Sequence, residues 1–299
     1  MDLKAAGTVL AYRGGWRAVR YLPDAAAYRL FDQVADGAWR RGTKGAKRLR
    51  TNLARAVPQA DEADLDRLTR SALRSYFWYW ADAFRLPDWS TDRVNRIDVR
   101  NLEALTQAIA AGRGAVGALP HMGNWDHAGL WVTSHGIRVT TVAERLKPEA
   151  VYRQFRDFRQ GLGMTIYPLT GGDDVFARLA SHVRDNDFVP LLADRDLTER
   201  GVGVRLLGER ASMPAGPAVL ALRTGAPLIP VSTWFIGEAP NHTLVLQFDE
   251  PITAPTGPSR DAVATMTQAL ADVFARRIRD NPRDWHMLQR LFTADLEPR

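Results

Sequence analysis

Ala115-Val-Gly-Ala-Leu119, then Pro120-His121-Met122-Gly123-Asn124-Trp125-Asp126, then Ala128-Gly-Leu-Trp-Val132 is the stretch on which the fold turns. A short, wholly apolar run reads as a buried strand. The segment from Ala128 reads as the start of a helix. Strand, tight turn and helix start are where α/β folds display reactive side chains. The turn carries His121 and Asp126 around Gly123. On a regular helix with 3.6 residues per turn, that spacing would set the two side chains about 140° apart. For the pair to meet, His121 sits in the turn and Asp126 reaches back from the first helical turn. A carboxylate on one imidazole nitrogen fixes the tautomer and leaves the other nitrogen to take a proton from a hydroxyl. The result is half of a hydrolase triad without a protein nucleophile, so a substrate hydroxyl would attack. A histidine bonded to a nearby acid for structural reasons gives the same string, and chance matches are common.

Outward from this stretch the chain alternates. Helix Asn101–Ala111 leads into the strand at 115–119, and strand Val139–Val142 follows the helix after the turn. Helix Glu149–Leu162, strand Thr165–Pro168, helix Asp173–Asp185 and strand Phe188–Ala193 continue the pattern. Strand Val202–Leu206, helix Gly216–Thr224, strands Leu228–Phe235 and Thr243–Phe248, and a helix over Ser259–Asp280 complete it. Repeated β-α alternation predicts an α/β fold with a mixed, mostly parallel central sheet flanked by helices. Residues 1–86 read as a helical N-terminal extension and 87–299 as the α/β core, together one structural domain.

In the extension, Val9, Tyr12, Trp16 and Val19 recur at helical spacing, with Arg13, Arg17 and Arg20 on a neighbouring face. Such a segment suits a helix lying in a bilayer interface, and equally a surface helix packed on its own domain. A basic cluster, Arg40 to Arg50, is either a solvated face or a contact for lipid head groups. Tyr76-Phe-Trp-Tyr-Trp80 is too aromatic for free exposure and belongs to the core or to an apolar channel.

Composition narrows the chemistry. The 299 residues contain no cysteine, which excludes a disulfide, a thiolate zinc site and a cysteine nucleophile. No apolar run approaches the roughly 18 residues needed to span a bilayer. Asp2, Lys4 and Arg13 interrupt any secretory h-region, so a cytoplasmic location is expected. The net charge of +6 points to an anionic partner: nucleic acid, anionic lipid or a phosphorylated substrate. Only four of the 40 basic residues are lysines, a bias that a GC-rich, actinobacterial genome would produce.

Several motifs fall away. Gly112-Arg-Gly114-Ala-Val-Gly117 matches the dinucleotide fingerprint, but its glycines precede and enter the strand instead of following it. Gly37–Lys44 lacks the Gly-Lys-Ser/Thr of a P-loop, and there is no Gly-x-Ser-x-Gly elbow. The six histidines form no zinc signature, and no metal is expected. No nucleic-acid-binding motif is present, so nucleic acid is not expected as a partner.

The string His-x-Gly-Asn-Trp-Asp resembles the acyltransferases of the lysophospholipid acyltransferase superfamily. Within it, the likeness is to the branch shared by lipid A acyltransferases and mycobacterial phosphatidylinositol mannoside acyltransferases. Thr141-Val-Ala-Glu-Arg-Leu-Lys-Pro-Glu149, Pro168-Leu-Thr-Gly-Gly172 and Ala193-Asp-Arg-Asp-Leu-Thr198 look like further blocks of that branch. So do Met213-Pro-Ala-Gly-Pro-Ala218 and Asp284-Trp-His-Met-Leu-Gln289, all in the family's order from about Gly15 to Gln289.

The resemblance implies that His121 is the general base and Asp126 its orienting partner. It implies attack of an acceptor hydroxyl on a long-chain acyl-CoA, a co-substrate, with no acyl-enzyme and no cofactor. The implied acceptor is the mannose 6-hydroxyl of phosphatidylinositol mono- or dimannoside, met at the cytoplasmic face of the membrane by a peripheral protein on an anionic surface. Backbone N–H groups near Gly123 and Asn124 are candidate oxyanion donors. Glu144 and Arg159 match two polar positions around the acceptor. A third, glutamate in the family, falls on Asp194, one methylene shorter. From Asp194, direct contact with the acceptor or His121 calls for a small shift or a bridging water. Trp125, Leu130, Trp131 and the run 76–80 are candidates for lining an acyl groove. Arg153 and Arg156 are candidates for meeting phosphates.

Overall fold

A computed structural model describes residues 14, 18–145, 148–170, 174–196, 201–255 and 261–296. Residues 18–21 are helical, and three helices follow: α1 (Asp24–Arg40), α2 (Lys44–Ala56) and α3 (Glu62–Arg85). Side chains cap two of them. Thr43 accepts from the Ala46 N–H at the start of α2, and Asp61 from the Asp64 N–H at the start of α3. Such caps satisfy donors that a helix start otherwise leaves open. After the short α4 (Thr91–Val94), strands and helices alternate as β1 (Ile97–Arg100), α5 (Glu103–Ala110), β2 (Ala115–Leu119), α6 (Trp125–Ser134) and β3 (Thr140–Ala143). Then come α7 (Glu149–Gly161), β4 (Thr165–Pro168), α8 (Val175–Arg184) and β5 (Phe188–Leu192). The chain closes with β6 (Val202–Leu206), β7 (Glu209–Met213), α9 (Gly216–Thr224), β8 (Leu228–Ile236), β9 (Thr243–Phe248), α10 (Ala262–Asp280) and α11 (Thr293–Leu296).

The main sheet has the order β1-β9-β8-β2-β5. All neighbours run parallel except β8 and β9, so the sheet is mixed and mostly parallel, with helices around it. β2 lies inside and is buried at every position, as a strand covered on both faces must be. Its register against β5 sets Leu119 opposite Leu192. A two-stranded sheet, β3-β4, continues past β5 through a bridge between Val139 and Phe188. At Gly117 an added Cβ would stand 2.7 Å from the Phe188 ring, so this glycine lets the neighbouring strand's aromatic pack across β2.

Two strands escape the sequence reading. β1 is a partly exposed edge strand too short for its alternation to register. β7 forms an antiparallel hairpin with β6, which therefore stands apart from the main sheet. Helices α1–α3 contribute to the same two hydrophobic clusters as the sheet, with Leu49 and Leu53 in one and Tyr28 and Trp78 in the other. Of the N-terminal amphipathic segment, Val9, Tyr12, Arg13, Trp16 and Arg17 lie outside the described residues. Val19 is buried and Arg20 pairs with Asp88, so the end of that segment packs on the protein. Among the described residues no helix is long and apolar enough to cross a membrane.

Candidate active site

The turn after β2 begins at Pro120, and its backbone is held from the far end of the chain. Gly123 N–H donates to the Asp284 carbonyl at 3.0 Å, and His286 N–H to the His121 carbonyl at 2.7 Å. Gly123 has φ +54°, and a Cβ there would meet the Thr233 backbone at 2.6 Å. A side chain is excluded both by conformation and by space. Asn124 then caps α6, its side-chain oxygen accepting from the His127 N–H at 2.9 Å. Its amide also donates to buried Asp82 at 3.2 Å.

His121 is only partly buried, with 26% of its side chain accessible. Its Nδ1 lies 2.5 Å from Asp194 Oδ1, and its backbone N–H donates to Asp194 Oδ2 at 2.9 Å. Asp194 is fully buried and also accepts from the indole N–H of Trp285 at 3.1 Å. Burial alone would push its carboxyl up. The charge of His121 and these hydrogen bonds outweigh that and hold it below the ordinary carboxylate range.

The structure therefore differs from the expectation that Asp126 orients His121. Asp126 is buried in the first turn of α6, where Arg159 of α7 reaches its Oδ1 at 2.6 Å and Oδ2 at 3.2 Å. The Tyr79 hydroxyl of α3 donates to Oδ2 at 2.8 Å. Both oxygens are engaged by neighbouring helices, while β5 delivers a different carboxylate to the imidazole. Nor does Asp194 need a shift or a bridging water to reach His121. Burial opposes the Arg159 charge, but Asp126 beside it wins, and the guanidinium pKa is raised. Burial and the Asp126 charge together lift the Tyr79 phenol well above its usual value.

His121 opens onto a cavity of about 360 Å³ whose wall also carries Tyr76, Trp80, Glu144, Arg159 and His286. Glu144 is exposed and makes no ion pair with Arg159, whose partner is Asp126. An apolar cavity of about 80 Å³ adjoins this one and shares Trp125, Val142, Arg159 and Leu192 with it. Of the residues expected to line an acyl groove, Tyr76, Tyr79, Trp80 and Trp125 stand on the wall of the His121 cavity, and of these only Trp125 also lines the apolar one. Leu130 and Trp131 are not on these walls, and Trp131 is buried in stacking contact with His135. The Gly123 N–H, given to Asp284, is not free for an oxyanion, which leaves Asn124 as the remaining member of that expected pair. Among the described residues, no group of three or more potential ligands is gathered for a metal ion.

A model of the bacterial lipid A biosynthesis acyltransferase family matches residues 2–294. The chain belongs to that family. A phosphatidylinositol mannoside acyltransferase of Mycolicibacterium smegmatis is 46% identical to this family member over 291 residues, 97% of this chain and 92% of the relative. One from Mycobacterium tuberculosis is 45% identical over 290 residues, 96% of this chain and 89% of the relative. Among solved structures, the 1-acyl-sn-glycerophosphate acyltransferase of Thermotoga maritima aligns over 84% of this acyltransferase and 95% of its own chain. That alignment has 13% identity and a TM-score of 0.38.

Sequence reasoning gave no role to Trp285 or His286, and none to Tyr79 beyond a place in a candidate groove. The first two lie in the block Asp284–Gln289, whose proximity to His121 is a long-range contact with no local signature. Tyr79 was visible only as one aromatic among five.

Proposed function

We propose that this acyltransferase moves a long-chain, palmitoyl-type acyl group from acyl-CoA to the 6-hydroxyl of a mannose on phosphatidylinositol mannoside. His121 is the general base. With Nδ1 held by Asp194, its Nε2 takes the proton of the acceptor hydroxyl as the oxygen attacks the thioester carbonyl. The tetrahedral intermediate collapses to the ester, and the departing thiolate recovers the proton from the imidazolium. Asp194 keeps the ring in one tautomer and stabilises its charge, as a buried carboxylate does in a hydrolase triad. Asp126 acts one step back, fixing Arg159 in the cavity wall, and Glu144 accepts hydrogen bonds from sugar hydroxyls. The acyl chain extends into the adjoining apolar cavity. The acceptor is met at the cytoplasmic face of the membrane, with the net charge of +6 favouring an anionic surface.

The observation that carries the chemistry is the imidazole of His121 on a cavity wall, fixed from behind by a buried carboxylate. The acceptor is supported by relatives at 45–46% identity that are named for it. The test is CoA release from palmitoyl-CoA, with and without phosphatidylinositol mannoside, in wild type and His121→Ala. Release that needs both the mannoside and His121 is expected. Release indifferent to the mannoside would redirect the search to another glycolipid, a lysophospholipid or water as acceptor. No release with any lipid would leave only a lipid-binding module.

A further inference from the structure

Among the described residues, many arginines are held in ion pairs. Arg50 pairs with Glu62, Arg55 with Asp295, Arg70 and Arg74 with Asp36, and Arg277 with Asp249. Lys44, Lys47, Arg195 and Arg290 share with several other basic residues the lack of an ion pair, and are set apart by where they lie. They come from three separate segments, the start of α2, the loop after β5 and the C-terminal segment, yet all line one open cavity of about 1190 Å³. Among the described residues none of the four has a carboxylate within ion-pair distance. Two other charged groups line the same cavity. Arg48 is neutralised by Asp295 at 2.7 Å, and Asp196 accepts from the Gly201 N–H and the Ser212 hydroxyl.

Four unneutralised cations around one hollow repel one another, and an anion placed among them relieves that repulsion. The hollow is continuous with the catalytic one. Arg195, Asp196, Leu288 and Gln289 line both, and Arg195 directly follows Asp194, the partner of His121. A molecule with its anionic end seated here can therefore extend along the shared wall toward the imidazole.

We propose that this cavity binds a phosphate-bearing end of a substrate, with Lys44, Lys47, Arg195 and Arg290 as its ligands. The assignment rests on the acyl-transfer reading above. That reading supplies two sources of the same chemistry: the nucleotide phosphates of CoA and the phosphodiester of the inositol lipid. Arg153 and Arg156 play no part in this site. Arg156 is paired with Asp157, and neither lines the cavity.

The experiment uses the full chain and the charge-reversed variants Lys47→Glu and Arg290→Glu, both at exposed positions. Binding of adenosine 3′,5′-bisphosphate and of vesicles containing phosphatidylinositol is measured by calorimetry. KM is measured for palmitoyl-CoA and for the phosphate-free thioester palmitoyl-N-acetylcysteamine. Loss of a charge-assisted contact is expected to weaken phosphate binding by about tenfold or more. If the donor's phosphates sit here, bisphosphate binding weakens and the ratio of KM for palmitoyl-CoA to KM for the phosphate-free thioester rises by a similar factor. If the lipid's phosphate does, vesicle binding weakens, the acceptor KM rises and that ratio holds. Wild-type affinity for both probes in both variants, with every KM unchanged, would overturn the site. Bisphosphate bound by wild type and lost in the variants, in a chain that never uses palmitoyl-CoA, would keep the site while sinking the donor assignment.

Discussion

His121 and Asp194 meet because two parallel strands end in step. Leu119 of β2 stands opposite Leu192 of β5, and each of the two residues lies two positions beyond its leucine. The Ala193 N–H donates to the Leu119 carbonyl at 2.7 Å, carrying the pairing one residue past the strands. The pair is thus a property of sheet register. Asp194→Asn keeps the volume but removes the charge that stabilises an imidazolium, and kcat is expected to fall by about 10²-fold or more. Asp194→Glu keeps the charge but forces a methylene into a fully buried site, where overpacking costs about 1–3 kcal/mol. Steady-state kinetics should therefore place the glutamate variant between wild type and asparagine. An asparagine variant as fast as wild type would remove Asp194 from the mechanism.

Asp126 answers to a different measurement. Its carboxylate neutralises Arg159, whose side chain is only 17% exposed. Asp126→Ala leaves that charge and the Tyr79 hydroxyl without their partner, at a cost of about 3 kcal/mol. A clear drop in the thermal midpoint is expected; His121→Ala, which deprives buried Asp194 of its imidazole, should also lower it but abolish transfer outright. If Asp126→Ala instead melted like wild type and altered only the pH profile of transfer, its role would be the one its spacing from His121 suggests.

What the sequence revealed and what it hid divide along range. β2, the turn and α6 were legible because an apolar run, a glycine and an apolar helical segment are local signals, although the Asn124 cap starts the helix at Trp125, three residues before Ala128. The five-residue spacing of His121 and Asp126 was equally local and misled. It counts positions along the chain, while α3 and α7 close on Asp126 from elsewhere. Asp194 was found only through resemblance. Its contact with His121 depends on β2–β5 register, which alternation within either strand does not encode. The hairpin β6–β7 was half seen for a related reason. A strand's pattern declares its buried face without naming its partner.

The apolar cavity beside His121 offers a test of where the acyl chain lies. Gly129 on α6 lines it, and an added Cβ would stand 2.3 Å from the Met164 terminal methyl, the far end of a flexible side chain. Gly129→Leu fills the space and suits a helix better than glycine does. Rates with octanoyl-, lauroyl- and palmitoyl-CoA should shift toward the shorter chains by about tenfold, since each buried methylene contributes roughly 0.8 kcal/mol. An unchanged chain-length profile would place the acyl group elsewhere.

His286 makes stability depend on pH. Its backbone N–H supports the His121 carbonyl, and its Nε2 lies 3.0 Å from the Ser75 hydroxyl. Burial, aided by the charges of His121 and Arg283, pushes its pKa from 6.5 down to about 3. Between those values the unfolded chain binds a proton at this position that the folded chain does not. Stability is therefore full above pH 6.5 and lost as pH falls toward 3, at no more than about 1.4 kcal/mol per pH unit from this group. Asp194, held below its ordinary value, loses its contribution in the same direction, but only below about pH 4. Denaturant melts of wild type and His286→Gln at pH 7.0, 6.0 and 5.0 separate the two groups. The variant should lose less stability than wild type across that range. Parallel decline in both proteins would mean that His286 is protonated in the folded state as readily as in the unfolded one.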